Sequence, residues 1–132
     1  MDYNGRMATS ALDVTPAEMA EYRATMARDA AADEEHRRAL EAKAWDFARL
    51  AAARLRDECS ATRVMLYGSL ARGEFRRGSD VDIAAWGVAT DRWLDVVGVG
   101  LETGREVEVS TCRAEDMRPE VLASALRDGI DL

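Results

Sequence analysis

The stretch Gly68-Ser69-Leu70-Ala71-Arg72-Gly73-Glu74-Phe75-Arg76-Arg77-Gly78-Ser79-Asp80-Val81-Asp82 sets a Gly-Ser turn a fixed distance ahead of two carboxylates at i, i+2. Before it, Arg63-Val64-Met65-Leu66-Tyr67 reads as a short buried strand, and Asp80-Val81-Asp82-Ile83-Ala84-Ala85-Trp86 reads as a second. Side chains alternate along a strand, so Asp80 and Asp82 share one face while Val81 and Ile83 point into a core. Two like charges held that close repel. A hard divalent cation with oxygen ligands resolves the repulsion, and the pair predicts Mg²⁺.

The Gly68-Ser69 turn leaves a strand and is followed by Leu70-Ala71-Arg72, which can begin a short helix. Backbone N–H groups at such a start converge on a phosphate. Gly68 has no Cβ to obstruct a close approach, and Ser69 donates a hydrogen bond without carrying charge. Residues 63 to 77 hold Arg63, Arg72, Arg76 and Arg77 against the single acid Glu74. Local positive charge of this kind in an acidic chain suits a polyphosphate better than a long nucleic acid. A lone Gly-Ser is ordinarily only a turn, and a lone Asp-x-Asp ordinarily a solvated strand edge. Their occurrence together, in order and flanked by strands, is what points to a site for a metal-bound nucleoside triphosphate.

Gly-Ser, Ala-Arg-Gly and Ser-Asp-x-Asp, at Gly68-Ser69, Ala71-Arg72-Gly73 and Ser79-Asp80-Val81-Asp82, resemble the signature of the minimal nucleotidyltransferases, small relatives of the DNA polymerase β-like nucleotidyltransferase fold. The similarity extends forward through the expected strand Arg105-Glu106-Val107-Glu108-Val109-Ser110 to the final segment ending Gly129-Ile130-Asp131-Leu132. It extends backward to a Thr-Pro-x-Glu helix start at Thr15. The family places a third carboxylate, usually Asp, on a later strand, and the matching position here is Glu108. Glu106, two residues earlier on the same expected strand face, competes for the role, and a solvated strand edge is the plain alternative. The extra methylene of Glu moves its oxygen about one bond further, which Mg²⁺ tolerates badly.

The resemblance implies two Mg²⁺ ions bridged by Asp80 and Asp82, with Glu108 on the ion that activates the attacking hydroxyl. It also implies Gly68 and Ser69 on the terminal phosphates of ATP, with Arg72 as a clamp. Ser79 is the remaining binding candidate, although a serine beside Asp80 suits the backbone better than a nucleotide. The implied activity is transfer of AMP from ATP to a hydroxyl. The preferred acceptor is a tyrosine on a HEPN-type ribonuclease toxin for which the protein acts as antitoxin. The rivals are an inactive binding module that neutralises its partner by contact, supported by Glu in place of Asp, and a transferase acting on a small molecule such as an antibiotic.

The remaining sequence sets bounds. A chain of 132 residues makes one structural domain, too small for a second substrate-reading lobe, so a protein partner is expected to deliver the acceptor. A homodimer that completes each site from both subunits is a further expectation. The formal charge of −7 disfavours tight binding to free nucleic acid. Met1-Asp2-Tyr3-Asn4-Gly5-Arg6 has no apolar signal core, and nothing approaches the roughly 20 apolar residues of a membrane span, which gives a cytoplasmic expectation. Cys59 and Cys112 read as free thiols.

Residues 1–58 read as an N-terminal helical extension that packs on a nucleotidyltransferase core over 59–132. Thr15-Pro16-Ala17-Glu18 is a capping-box start, and no Gly or Pro follows until Gly68, so helix can run to about Glu58. Unbroken, it would be roughly 65 Å long at about 1.5 Å per residue; a break near Asp29 to Asp33 is the alternative. Leu40, Ala44, Phe47, Ala51 and Leu55 recur at helical spacing and mark a docking face. A helix over 90–101 capped by Thr90, with Trp93, Leu94, Val96 and Val97 in the core, and a last helix near Pro119 to Arg127, with Val121, Leu122 and Leu126 inward, complete the reading. The expected fold is α/β, a small mixed sheet with helices mainly on one face plus the long N-terminal helix.

Overall fold

The structure, a computed structural model, describes residues 13–132. The missing signal core read at Met1 to Arg6 lies outside the described residues. The chain divides into two compact units between His36 and Arg37.

Helix α1 (Pro16–Cys59) runs to the end read from the sequence and takes the unbroken alternative through Asp29 to Asp33, because no helix breaker interrupts it. Thr15 caps it as read. Its Oγ1 accepts a hydrogen bond from the Glu18 N–H at 3.0 Å and donates to the Glu18 carboxylate at 3.1 Å. In the first unit every described residue through His36 is exposed, Tyr22 and Met26 included, so helix propensity and capping act there without a buried face.

In the second unit a four-stranded sheet has the order β3-β2-β1-β4. Strand β1 (Arg63–Tyr67) pairs antiparallel with β2 (Val81–Trp86), and β2 pairs parallel with β3 (Val109–Arg113). The chain reaches β3 through a 3₁₀ turn (Thr90–Arg92) and helix α2 (Trp93–Thr103), which makes the crossover a parallel pair needs. A second 3₁₀ turn (Ala114–Asp116) and helix α3 (Pro119–Asp128) return it to β4 (Ile130–Asp131) on β1.

One face of the sheet, with Val64, Leu66, Val81, Ile83 and Ala85, packs with Ala44, Ala48, Ala51 and Leu55 of α1 and Val96 and Val99 of α2. The alanines let α1 lie close to the strands, and each fully buried Leu, Ile or Val contributes about 1.5–3 kcal/mol. Met65, Ala84 and Ala125 are buried but stand apart from that cluster, since α3 covers the opposite face. Two helices therefore share one face and the third covers the face on which Asp82 and Tyr67 lie.

Helix α2 is joined to β3 by one hydroxyl. Thr111 Oγ1 accepts the Gly100 N–H at 3.0 Å and donates to the Val96 carbonyl, so it stands between the two groups that an uninterrupted helix would bond directly. Gly100 permits the approach, because a Cβ there would lie 2.6 Å from both Thr111 Oγ1 and the Val109 carbonyl oxygen.

Several expectations are corrected. Trp93 and Leu94 are exposed, and the buried positions of α2 are Val96, Val99, Gly100 and Thr103, because the 3₁₀ turn delays the helix to Trp93 and rotates its inward stripe. Thr90 makes no cap; its hydroxyl accepts instead from Arg113 Nη2 at 3.4 Å. In α3 the buried residue is Ala125, and Val121 and Leu126 face outward. The third strand starts at Val109 rather than Arg105, since its partner β2 starts at Val81 and the two are in register there. Cys59 and Cys112 are free thiols, as read. Among the described residues no helix is long and apolar enough to cross a membrane.

Candidate active site

The site forms where β1 ends and β2 begins. Tyr67, the last residue of β1, pairs with Asp82, so the chain turns at Gly68 directly beside that carboxylate. Gly68 has φ +82°, and a Cβ built on it would stand 2.6 Å from Asp82 Oδ2. The backbone there requires glycine, and a Cβ would also force the Asp82 carboxylate to turn aside. Past it, the Arg72 N–H bonds the Gly68 carbonyl at 3.1 Å and the Glu74 N–H bonds the Ser69 carbonyl at 2.8 Å. The short helix expected from Leu70 does not form. Gly73, at φ +74°, ends the coil after a single turn. Buried Leu70 and Phe75 fix the loop from beneath.

Val81 and Ile83 are fully buried, so Asp80 and Asp82 emerge on the other face, as the alternation requires. Asp80 is exposed and Asp82 is half-buried. Burial first, and the Asp80 charge second, push the Asp82 carboxyl up to about 6, against a smaller opposing pull from Arg72. Arg72 forms an exposed ion pair with Glu74 at 3.2 Å. The Ser79 hydroxyl accepts the Arg76 N–H at 3.2 Å and so serves the loop backbone. Ser69 is half-buried, and its hydroxyl has no hydrogen-bond partner among the described residues.

Glu108 lies just before β3, exposed, and its carbonyl accepts the Val81 N–H at 2.9 Å, which brings it alongside the Asp80–Val81 peptide. Neither Glu106 nor Glu108 lies in a strand, because the chain bends from Arg105 to Val107 and β3 starts at Val109; Glu106 faces Lys43 of α1 at 3.9 Å. Among the described residues no three His, Cys, Asp or Glu side chains gather into a metal-binding group, so Glu108 is adjacent to the aspartate pair without being assembled with it.

Two cavities flank the carboxylates. One, of about 340 Å³, is lined by Gly68, Arg72 and Asp82 together with Glu120, Ser124 and Asp128 of α3. The other, of about 430 Å³, is lined by Asp80, Arg105, Glu108 and Ser110 with Val97 and Leu101 of α2. Ser110, which pairs with Asp82 across the strands, and Tyr67 were not singled out in the sequence. Tyr67 was legible as the last strand residue before the glycine, on the Asp82 face. Its hydroxyl lies 3.9 Å from Cys112 Sγ, and burial holds it well above the ordinary tyrosine range.

The profile of the nucleotidyltransferase domain matches residues 50–130. The chain belongs to the nucleotidyltransferase domain family. A solved structure provisionally described as a minimal nucleotidyltransferase is 27% identical, with a TM-score of 0.50, covering 76% of this chain and 96% of that one. A toxin–antitoxin crystal structure with AMP-PNP is 20% identical, with a TM-score of 0.48 and coverage of 58% and 64%. A mutant of the toxin–antitoxin pair MntA-HpeT is also 20% identical, with a TM-score of 0.47 and coverage of 59% and 64%. The chain thus matches 64% of the length of each toxin–antitoxin chain. No curated protein sequence matches it. The donor set suits a hard divalent cation: two oxygen-only side chains on one face, whose mutual repulsion, seen in the raised Asp82 pKa, a cation would relieve.

Proposed function

We propose that the protein is a Mg²⁺-dependent nucleotidyltransferase that moves AMP from ATP to a hydroxyl on a partner protein. The observation that carries this reading is the placement of Asp80 and Asp82 on one sheet face with Gly68 packed against Asp82. Asp80 and Asp82 would hold the metal, which supplies neutralising charge to the phosphoryl oxygens. Gly68 and Ser69 would hold the terminal phosphates, Ser69 offering a hydroxyl with no other partner among the described residues and Arg72, which lines the cavity with Gly68, a positive charge. The acceptor oxygen bonds to the α-phosphorus, the bond from that phosphorus to the bridging oxygen breaks, and pyrophosphate leaves with the electron pair. In-line displacement needs the entering and leaving groups on opposite sides, and each of the two cavities holds one of the aspartates, Asp80 with Glu108 in one and Asp82 with Gly68 and Arg72 in the other. Glu108, exposed in the cavity with Asp80, takes the acceptor proton directly or through water.

The resemblance to minimal nucleotidyltransferases supports a tyrosine of a HEPN-type toxin as acceptor and an antitoxin role. A second reading, a binding module of the same fold without activity, is favoured by one observation: Glu108 is not gathered with the two aspartates. Label transfer from α-labelled ATP with Mg²⁺ into host extract decides between them. Transfer from the α but not the γ position, abolished in Asp80→Asn/Asp82→Asn, is the expected result. Absence of any labelled band from an extract in which the protein still captures a partner overturns it in favour of the binding module.

A further inference from the structure

The cavity beside Gly68 and Arg72 has a second wall that the signature residues do not account for. Glu120, Ser124 and Asp128 recur at i, i+4 and i+8 on α3, so they form one row on one side of the helix. All three line the cavity, together with Asp82. Neither carboxylate has an ion-pair or side-chain hydrogen-bond partner among the described residues, in contrast to Asp131, which Arg63 holds at 2.8 Å. Arg72, the cation in the cavity, is engaged by Glu74.

A row of unpaired acceptors repels phosphate oxygens and attracts neutral hydroxyl donors. The groups read above as holding phosphate, Gly68 and Arg72, come from the β1 turn and not from α3, so a triphosphate held by them leaves its uncharged sugar as the portion that matches α3. Vicinal hydroxyls can each donate to a carboxylate, and Ser124 between the two acids can donate or accept.

We infer that the Glu120–Ser124–Asp128 row of α3 receives the ribose diol of the nucleotide and makes the protein select ribonucleotides over deoxyribonucleotides. The inference rests on the nucleotidyl-transfer reading above. A hydrogen bond from a hydroxyl to a charged acceptor that is lost on deoxygenation leaves that acceptor facing the cavity unpaired, which amounts to tenfold or more in affinity.

The test is calorimetric titration of the full chain with Mg²⁺ and, separately, ATP, 2′-deoxy-ATP, 3′-deoxy-ATP, ITP and inorganic tripolyphosphate. The expected result is ATP binding at least about tenfold tighter than one or both deoxy analogues. The discrimination should fall towards unity in Glu120→Gln and Asp128→Asn while tripolyphosphate binding is retained, which shows that the variants are folded. Arg72→Ala should instead weaken ATP and tripolyphosphate alike. Equal binding of ATP and both deoxy analogues overturns the inference, as does discrimination that survives in both α3 variants. A preference for ATP over ITP without ribose discrimination reassigns the wall to the base. If neither ATP nor tripolyphosphate binds, the nucleotidyl-transfer reading itself falls, a result distinct from binding without sugar selection.

Discussion

Replacing Gly68 by alanine separates two costs that the structure superimposes at this turn. The first is conformational: φ of +82° is a left-handed backbone, and a Cβ there costs about 1–2 kcal/mol. The second is contact. The added carbon would stand 2.6 Å from Asp82 Oδ2, so the carboxylate must move, at a cost of about 1–2 kcal/mol of overpacking. Gly78→Ala is the matched control, since Gly78 has φ +86° and its Cβ would meet nothing within 4 Å. Urea unfolding followed by circular dichroism should show a loss of about 2–4 kcal/mol for Gly68→Ala and about 1–2 kcal/mol for Gly78→Ala. Adding Asp82→Ala should relieve the contact part, giving a coupling of roughly 1 kcal/mol between positions 68 and 82 and none between 78 and 82. Equal losses for the two glycines, or additive behaviour of 68 with 82, would refute the close packing on which the site geometry rests.

Three further outcomes are expected. With EDTA present, the raised Asp82 pKa means that the folded state holds this proton more tightly than the unfolded chain. Its contribution is complete below about 3.8 and is lost as pH rises through about 6. Asp82→Asn should therefore be more stable than the parent by ~1–2 kcal/mol at pH 7.5, after discounting for partial exposure, and should match it near pH 4. Parallel pH profiles for the two proteins would contradict this, and Mg²⁺ should narrow the difference at high pH. Glu108→Gln should lower label transfer by about 10²-fold or more, while Glu106→Gln, which loses only an exposed contact to Lys43, should leave it within about twofold. Equal effects would remove the distinction drawn between the two glutamates. Phe75→Ala should cost about 3–5 kcal/mol, because this loop residue is fully buried in the core; a loss under 1 kcal/mol by thermal melting would mean that the loop is not anchored there.

The parts of the fold legible in the sequence are those in which local pattern and packing agree. Arg63 to Tyr67, the alternation from Asp80 to Ile83, and the spacing from Leu40 to Leu55 each carry their own periodicity, and each takes the place expected of it. The start of β3 was not legible for a physical reason. Val107 and Val109 are both buried, so the alternation through Glu106 and Glu108 is genuine, but a ladder begins only where the neighbouring strand begins. Strand β4 has two residues and exists only through its pairing with Met65 and Leu66. The exposed Trp93 and Leu94 were misplaced because a 3₁₀ turn shifts the phase of α2 by an amount that composition does not encode. The row on α3 was overlooked for the complementary reason: polar residues at helical spacing read as a solvated face until the fold sets them in one cavity with Gly68 and Asp82.

The hydroxyl of Thr111 makes one side chain a structural member of a helix to which it does not belong. Positions 100 and 111 are consequently a single choice made twice. Valine at 111 would present methyl groups to an amide and a carbonyl that need a partner, and any side chain at 100 would lift the helix off the strand. Relatives that fold this way should change the two positions together or keep both. Because the same strand runs back through Ser110 to the segment that carries Glu108, the fit of that one oxygen also sets how far this rim of the cavity beside α2 stands from Asp80.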